Sequence, residues 1–207
     1  MNHLYLFFIA SLMLNLTPGN DMLYVISRTL SQGIKGGLYS SLGIFLGGLV
    51  HISAAILGLS ILIAKSAFLF GIIKFAGAFY LVYIGIKSLL SKPGLDIENQ
   101  QAEQVNHLKL LKQGMTTNVL NPKVAIFFLS FLPQFVDVNS KNIELQLLTL
   151  GLWFDIQGTL VLILVALIVN RTTNFVRKKP AFWKIQERIT GFILIALGIK
   201  LALSTKK

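Results

Sequence analysis

The chain is 207 residues long, 54% apolar and only 13% charged, about half the charged share of a soluble domain of this size. The net charge of +11 sits almost wholly at the ends of long apolar blocks, as in "RKKPAFWK", which is how membrane proteins are anchored and oriented and not how nucleic acid is bound. There is no cysteine, so disulfide, zinc-thiolate and iron–sulfur chemistry are excluded.

A span needs about 20 mostly apolar residues, and six segments qualify. The first, Leu4 to Ser27, is broken by "NLTPGNDML". Pro18 lacks a backbone donor and frees the carbonyl one turn before it, and Thr17, Gly19, Asn20 and Asp21 surround the break. In hydrocarbon such a break persists where it lines a cavity or is buried in protein. The second segment, Leu38 to Ile63, follows Gly36 and carries Ser40, Gly43, Gly47, Ala54 and Gly58. Small residues at that spacing let helices approach closely, and His51 shares their face. The third is Phe68 to Leu90. The fourth, Met115 to Val136, is broken in its turn at Pro122, with Gly114, Asn118, Asn121 and Ala125 on one stripe. The fifth, Leu145 to Val169, repeats the stripe with Gly151, Asp155 and Gly158, and the sixth is Ile185 to Ser204.

Between the third and fourth lies the only polar hinge, Ser91 to His107, with three of the eight acidic residues. Residues 91–110 are read as a linker between a first three-helix repeat, 1–90, and a second, 111–207. The halves resemble each other. An offset of 104 residues lays Pro18 on Pro122, Gly47 on Gly151 and His51 on Asp155, and one of 114 lays Lys74–Gly77 on Arg188–Gly191. Three crossings per copy leave the second copy entering from the opposite face. The predicted fold is therefore an all-α integral membrane protein: six transmembrane helices in two inverted repeats, the first and fourth interrupted at proline. Secondary transporters built this way place their sites at the broken helices near the midplane. With six spans, twelve Lys and Arg fall on one side and five on the other, so the first side is expected to be cytoplasmic and both termini outside.

The candidate substrate-binding residues are Thr17, Pro18, Gly19, Asn20, Asp21, Asn118, Asn121 and Pro122. Asp155 and His51 are the candidates for proton coupling. A carboxylate in mid-span costs about 2.5 to 3.5 kcal/mol even on lenient insertion scales, so Asp155 reads either as a proton carrier or as half of an ion pair with Lys74 or Lys123. His51 reads either as a titrating group or as a neutral ring bonded to a backbone carbonyl. Lys123 lies on a different face from Asn121 and is given no role. No phosphate-binding loop, Gly-x-Ser-x-Gly, His-Glu-x-x-His or carboxylate pair is recognisable. The chain is therefore not expected to be an enzyme or to need a cofactor, and transport would draw on a gradient.

These residues also carry a family resemblance. "TPGNDMLYVISRTLSQGIKGGLYSSLGIFLGGL" resembles the first signature of the LysE/RhtB family of amino-acid exporters, and "KFAGAFYLVYIGIKSL" resembles its third span. "GMTTNVLNPKVAIFFLSFLPQFV" resembles its fourth, with Asn121-Pro122-Lys123 and Pro133 to Phe135, and Asp155 matches its fifth-span aspartate. The resemblance runs nearly end to end. It implies export of amino acids such as homoserine, threonine or a lysine-like solute across the bacterial inner membrane, by proton antiport, often as a homodimer. One departure is Asn20, where the family has a second proline; it leaves a specific substrate open. A divalent-cation or heavy-metal exporter and a non-transporting membrane partner are the competing readings.

Overall fold

The computed structural model describes residues 2–65, 67–90, 106–137, 140 and 142–171, and in the C-terminal stretch 188–189, 191–192, 194–196, 198–199 and 202–203. Among the described residues every regular element is helical. Helix α1 (Asn2–Leu16) stops before Pro18, and α2 (Asn20–Lys65) begins after it, so the first apolar segment is broken where the proline predicts. α2 is itself two helices, residues 20–32 and 34–65, joined directly at Gly33, whose φ of 68° is a conformation that residues with a Cβ rarely adopt. α3 is Ala67–Leu90. α4 (His107–Val119) starts inside the stretch read as linker. Its first turn is capped by Asn106, whose side chain accepts from Leu108 N. Residues 91–105 of that linker, Lys200 and the side chain of Lys74 lie outside the described residues.

After α4 the chain breaks again. α5 (Pro122–Ile126) opens with proline at its first position, where no hydrogen bond is lost. It continues as a π-helical turn, Phe127–Phe131, and a 3₁₀ turn, Leu132–Phe135, around Pro133. The segment Pro122–Phe135 is bent by 49° from α4. α6 (Ile143–Arg171) is unbroken. Its 29 residues extend about 44 Å, more than a hydrocarbon core of about 30 Å. α2, α6 and the bent α4 segment are each apolar and long enough to cross a membrane.

α2 packs along both α4 and α6. A Cβ on Gly43 would strike the Leu111 backbone, and one on Gly114 would lie 2.6 Å from the Ser40 carbonyl, so the small-residue stripes are where α2 and α4 touch. α3 crosses the C-terminal helical residues in the opposite direction, pairing Gly85 with Gly191 and Ala78 with Gly198. Two apolar clusters form the interior. One gathers Phe7, Leu14, Phe127, Phe128, Leu132 and Leu147; the other gathers Met22, Val25, Ile26, Val161, Leu162 and Val169. α1, α2 and α6 pass through both, and the polar residues at the breaks lie between them. The outer surface exposes Leu57, Phe79, Leu90 and Leu120, each more than 70% accessible, a lipid-compatible face.

Candidate functional site

Each proline break frees a carbonyl, and each freed carbonyl is met from elsewhere in the bundle. Pro18 cannot donate to Leu14 O, which takes Thr17 N at 3.2 Å and Lys123 Nζ at 3.2 Å; the same ammonium reaches Thr17 O at 3.0 Å. Pro122 cannot donate to Asn118 O, which takes Asn121 N at 2.9 Å, and His51 Nε2 lies 3.0 Å from it, so that nitrogen is a second donor. The ring of His51 stacks on Phe128. Lysine is well suited to its place, because the C-terminal end of α1 carries the negative pole of the helix dipole. It is aimed there by Asn121, whose Oδ1 accepts from Lys123 N at 3.0 Å and caps α5.

The breaks enclose two carboxylates. Asp21, in the first turn of α2, and Asp155, in the middle of α6, are 8% and 6% exposed. Asn118 Nδ2 donates to Asp21 Oδ2 at 2.8 Å. Asp21 Oδ1, Asp155 Oδ2, Asn118 Oδ1 and Asn121 Nδ2 are buried with no hydrogen-bond partner among the described residues. Buried polar atoms are rarely left so, and three of these four belong to residues around one small cavity of about 30 Å³. Asn15, Thr17, Asp21, Asn118, Lys123, Asp155 and Thr159 supply its polar wall, and Met22, Ile44, Val124, Phe154 and Leu162 its apolar one. That volume holds about two water molecules. Asp155 is pressed close to α2, since a Cβ on Gly48 would collide with its carboxylate.

Of the candidate residues, Thr17, Asp21, Asn118 and Asp155 line one cavity. Asn121 is buried behind it, Pro18 and Pro122 create the breaks, and Gly19 lies against Lys123 Nζ. Asn20 is exposed at the head of α2 and does not line the cavity. One expectation needs correction: two carboxylates do come together, on different helices that both line the cavity. Lys123, whose role the sequence left open, places its ammonium on the Leu14 and Thr17 carbonyls. Asn15 and Thr159 were also missed. Asn15 Nδ2 donates to Phe154 O and Gln157 Oε1, and a lone asparagine two residues before Thr17 was the available signal. Among the described residues no three His, Asp or Glu side chains gather as a metal site.

A second, wider basin of about 500 Å³ is lined by Tyr24, Arg28, Lys109, Lys112, Gln113, Thr116 and Thr117. Arg28 Nη2 donates to Gln113 Oε1, and Tyr24 Oη donates to Leu110 O. It shares no lining residue with the smaller cavity.

The profile of the LysE type translocator family matches residues 12–205. An uncharacterised membrane protein of Bacillus subtilis, YrhP, is 34% identical over 212 aligned positions, covering 99% of this chain and 100% of the relative. Leucine efflux proteins of Salmonella typhimurium and Salmonella typhi are 26% identical, each over 95% of this chain and 92% of theirs. No solved structure matches.

Proposed function

Because the chain belongs to the LysE type translocator family, we propose that it exports small neutral amino acids or close derivatives from the cytoplasm in exchange for protons. Homoserine, threonine and, from the names of the Salmonella relatives, leucine are the first candidates. In this reading the chain sits in a bacterial inner membrane with six spans in two inverted three-helix repeats, residues 1–90 and 111–207, and both termini outside. Family membership makes it a membrane translocator and not an enzyme.

One observation carries the reading: the cavity where the two proline breaks meet holds unpaired carboxylate oxygens of Asp21 and Asp155 between two apolar clusters. Such a site suits a zwitterion. Asp21 and the break carbonyls attract its ammonium, and the Asn118 amide, which lines the cavity with one of its two N–H groups on Asp21, suits its carboxylate. The apolar wall of Met22, Ile44 and Leu162 suits a short side chain and not a second charge. Asp155 is the proton carrier, with its Oδ2 free to be protonated when cargo leaves. His51 acts through the Asn118 carbonyl, which it holds in place across the second break.

The test is efflux of radiolabelled amino acids from proteoliposomes of the purified protein under an imposed proton gradient, beside an Asp155→Asn control. Gradient-driven movement of one neutral amino acid, abolished in the control, is the expected result. No movement of any amino acid would overturn the reading.

A further inference from the structure

Export explains the carboxylates and the breaks, but it leaves a buried cation inside a site for a cationic group. We propose that the Lys123 ammonium is a tethered stand-in for cargo: it fills the amino-group subsite in the empty transporter, and each cargo molecule displaces it. This rests on the reading that the cavity binds an amino acid.

The ligands of Lys123 carry the argument. A lysine ammonium and an α-ammonium offer the same three donors and the same charge. The acceptors that Lys123 has found are Thr17 O and Leu14 O at the first break; Leu14 O also accepts from Thr17 N at 3.2 Å, so the ammonium is its second donor in place of the N–H that Pro18 lacks. Two of its three donors are thereby used, and the Asp21 carboxylate with its unpaired Oδ1 lines the same cavity. No better cation subsite is present among the described residues, and the lysine already has it.

Volume and charge follow the same logic. With the lysine in place about 30 Å³ remains, so cargo enters only if the side chain swings out. Its path runs over Gly19, where a Cβ would lie 3.1 Å from Nζ and 3.5 Å from Cε; a side chain there would obstruct the swing. With Asp155 protonated once cargo has left, an empty cavity without the lysine would still carry the buried Asp21 carboxylate and no cation, which is costly in a membrane interior. Lys123 removes that cost on the return leg, and the ammonium of the cargo removes it on the outward leg.

The two legs are separable in proteoliposomes. Homoexchange, with cargo on both faces, bypasses reorientation of the empty site, whereas net efflux requires that step in every cycle. In Lys123→Met and Lys123→Gln, net efflux is expected to fall at least ten-fold more than homoexchange does, and cargo Kd to be several-fold lower because an internal competitor is gone. The glutamine variant still donates to Leu14 and Thr17 carbonyls and guards against loss of the fold. If exchange and efflux fall together in both variants, or cargo binds no more tightly, Lys123 only holds the break and the proposal is overturned. Parent protein that catalyses neither process would instead overturn the export reading itself.

Discussion

His51 Nε2 stands 3.0 Å from the carbonyl of Asn118, the oxygen that Pro122, four residues later, cannot serve. Asn118 in turn donates its amide to Asp21, so the imidazole positions a cavity residue through the backbone. That carbonyl keeps the Asn121 N–H at 2.9 Å, so losing the imidazole removes its second donor and should cost about 0.5–1.5 kcal/mol. His51→Phe is expected to lower the melting temperature in detergent and raise KM for cargo. His51→Gln, which keeps a donor, should restore most of both. Proton-driven efflux by the glutamine variant at near-parent rates is the decisive measurement, since glutamine cannot titrate. Its loss with the fold intact would return the proton role to His51.

The two carboxylates should divide the work. Asp155→Asn cannot release a proton, so uphill efflux against a cargo gradient is expected to vanish while downhill exchange survives. Asp21→Asn loses the anion opposite the cargo ammonium, and KM should rise at least ten-fold with proton coupling intact. The pH dependence of efflux should flatten in Asp155→Asn and persist in Asp21→Asn. Measuring both rates over a series of lumenal and external pH values separates the pair, and identical behaviour of the two variants would count against the division.

The parts of this fold that were legible in the sequence are those with a local physical cause. A proline removes its own hydrogen bond wherever it sits, so the breaks at Pro18 and Pro122 could be read directly. Polar residues beside them stood out against apolar neighbours. The close approach of α2 and α4 was visible in the spacing of Gly43, Gly47 and Gly114. What stayed hidden is set by packing between distant residues. Asp21 and Asp155 lie on different helices, and nothing in either segment announces that they share a cavity. The target of Lys123 depends on the 49° bend that turns α5 back towards α1. Gly33 belongs to no small-residue stripe, yet it replaces a loop altogether and lets residues 20–65 run as two directly joined helices. For His51, both readings suited the residue type; the position of Asn118 O decides which contact it makes.

The inverted topology is open to a direct chemical test because the chain has no cysteine to remove. Lys112 on α4 and Asp137 beyond the 3₁₀ turn are both exposed and lie towards opposite ends of the broken fourth segment. Lys112→Cys in inner-membrane vesicles of known orientation should react with a membrane-impermeant maleimide only from the cytoplasmic face. Asp137→Cys should react only from the outside. Labelling of both from one face would refute the predicted orientation and the crossing between them.

Gly48 provides the most stringent test of the site's geometry. A methyl group there falls on the Asp155 carboxylate, and neither helix backbone can yield without disturbing the packing of α2 along α6. Overpacking of this kind costs about 1–3 kcal/mol, and here it bears on the group assigned to the proton. Gly48→Ala is expected to reduce proton-driven efflux at least ten-fold, with a smaller effect on exchange. Gly58, on the same helix with nothing within 4 Å of its added Cβ, is the matched control. Since alanine is the better helix former by about 1 kcal/mol, Gly58→Ala should leave transport unchanged and raise the melting temperature slightly. Equal activity in the two variants would mean that Asp155 does not sit against α2 in the working protein.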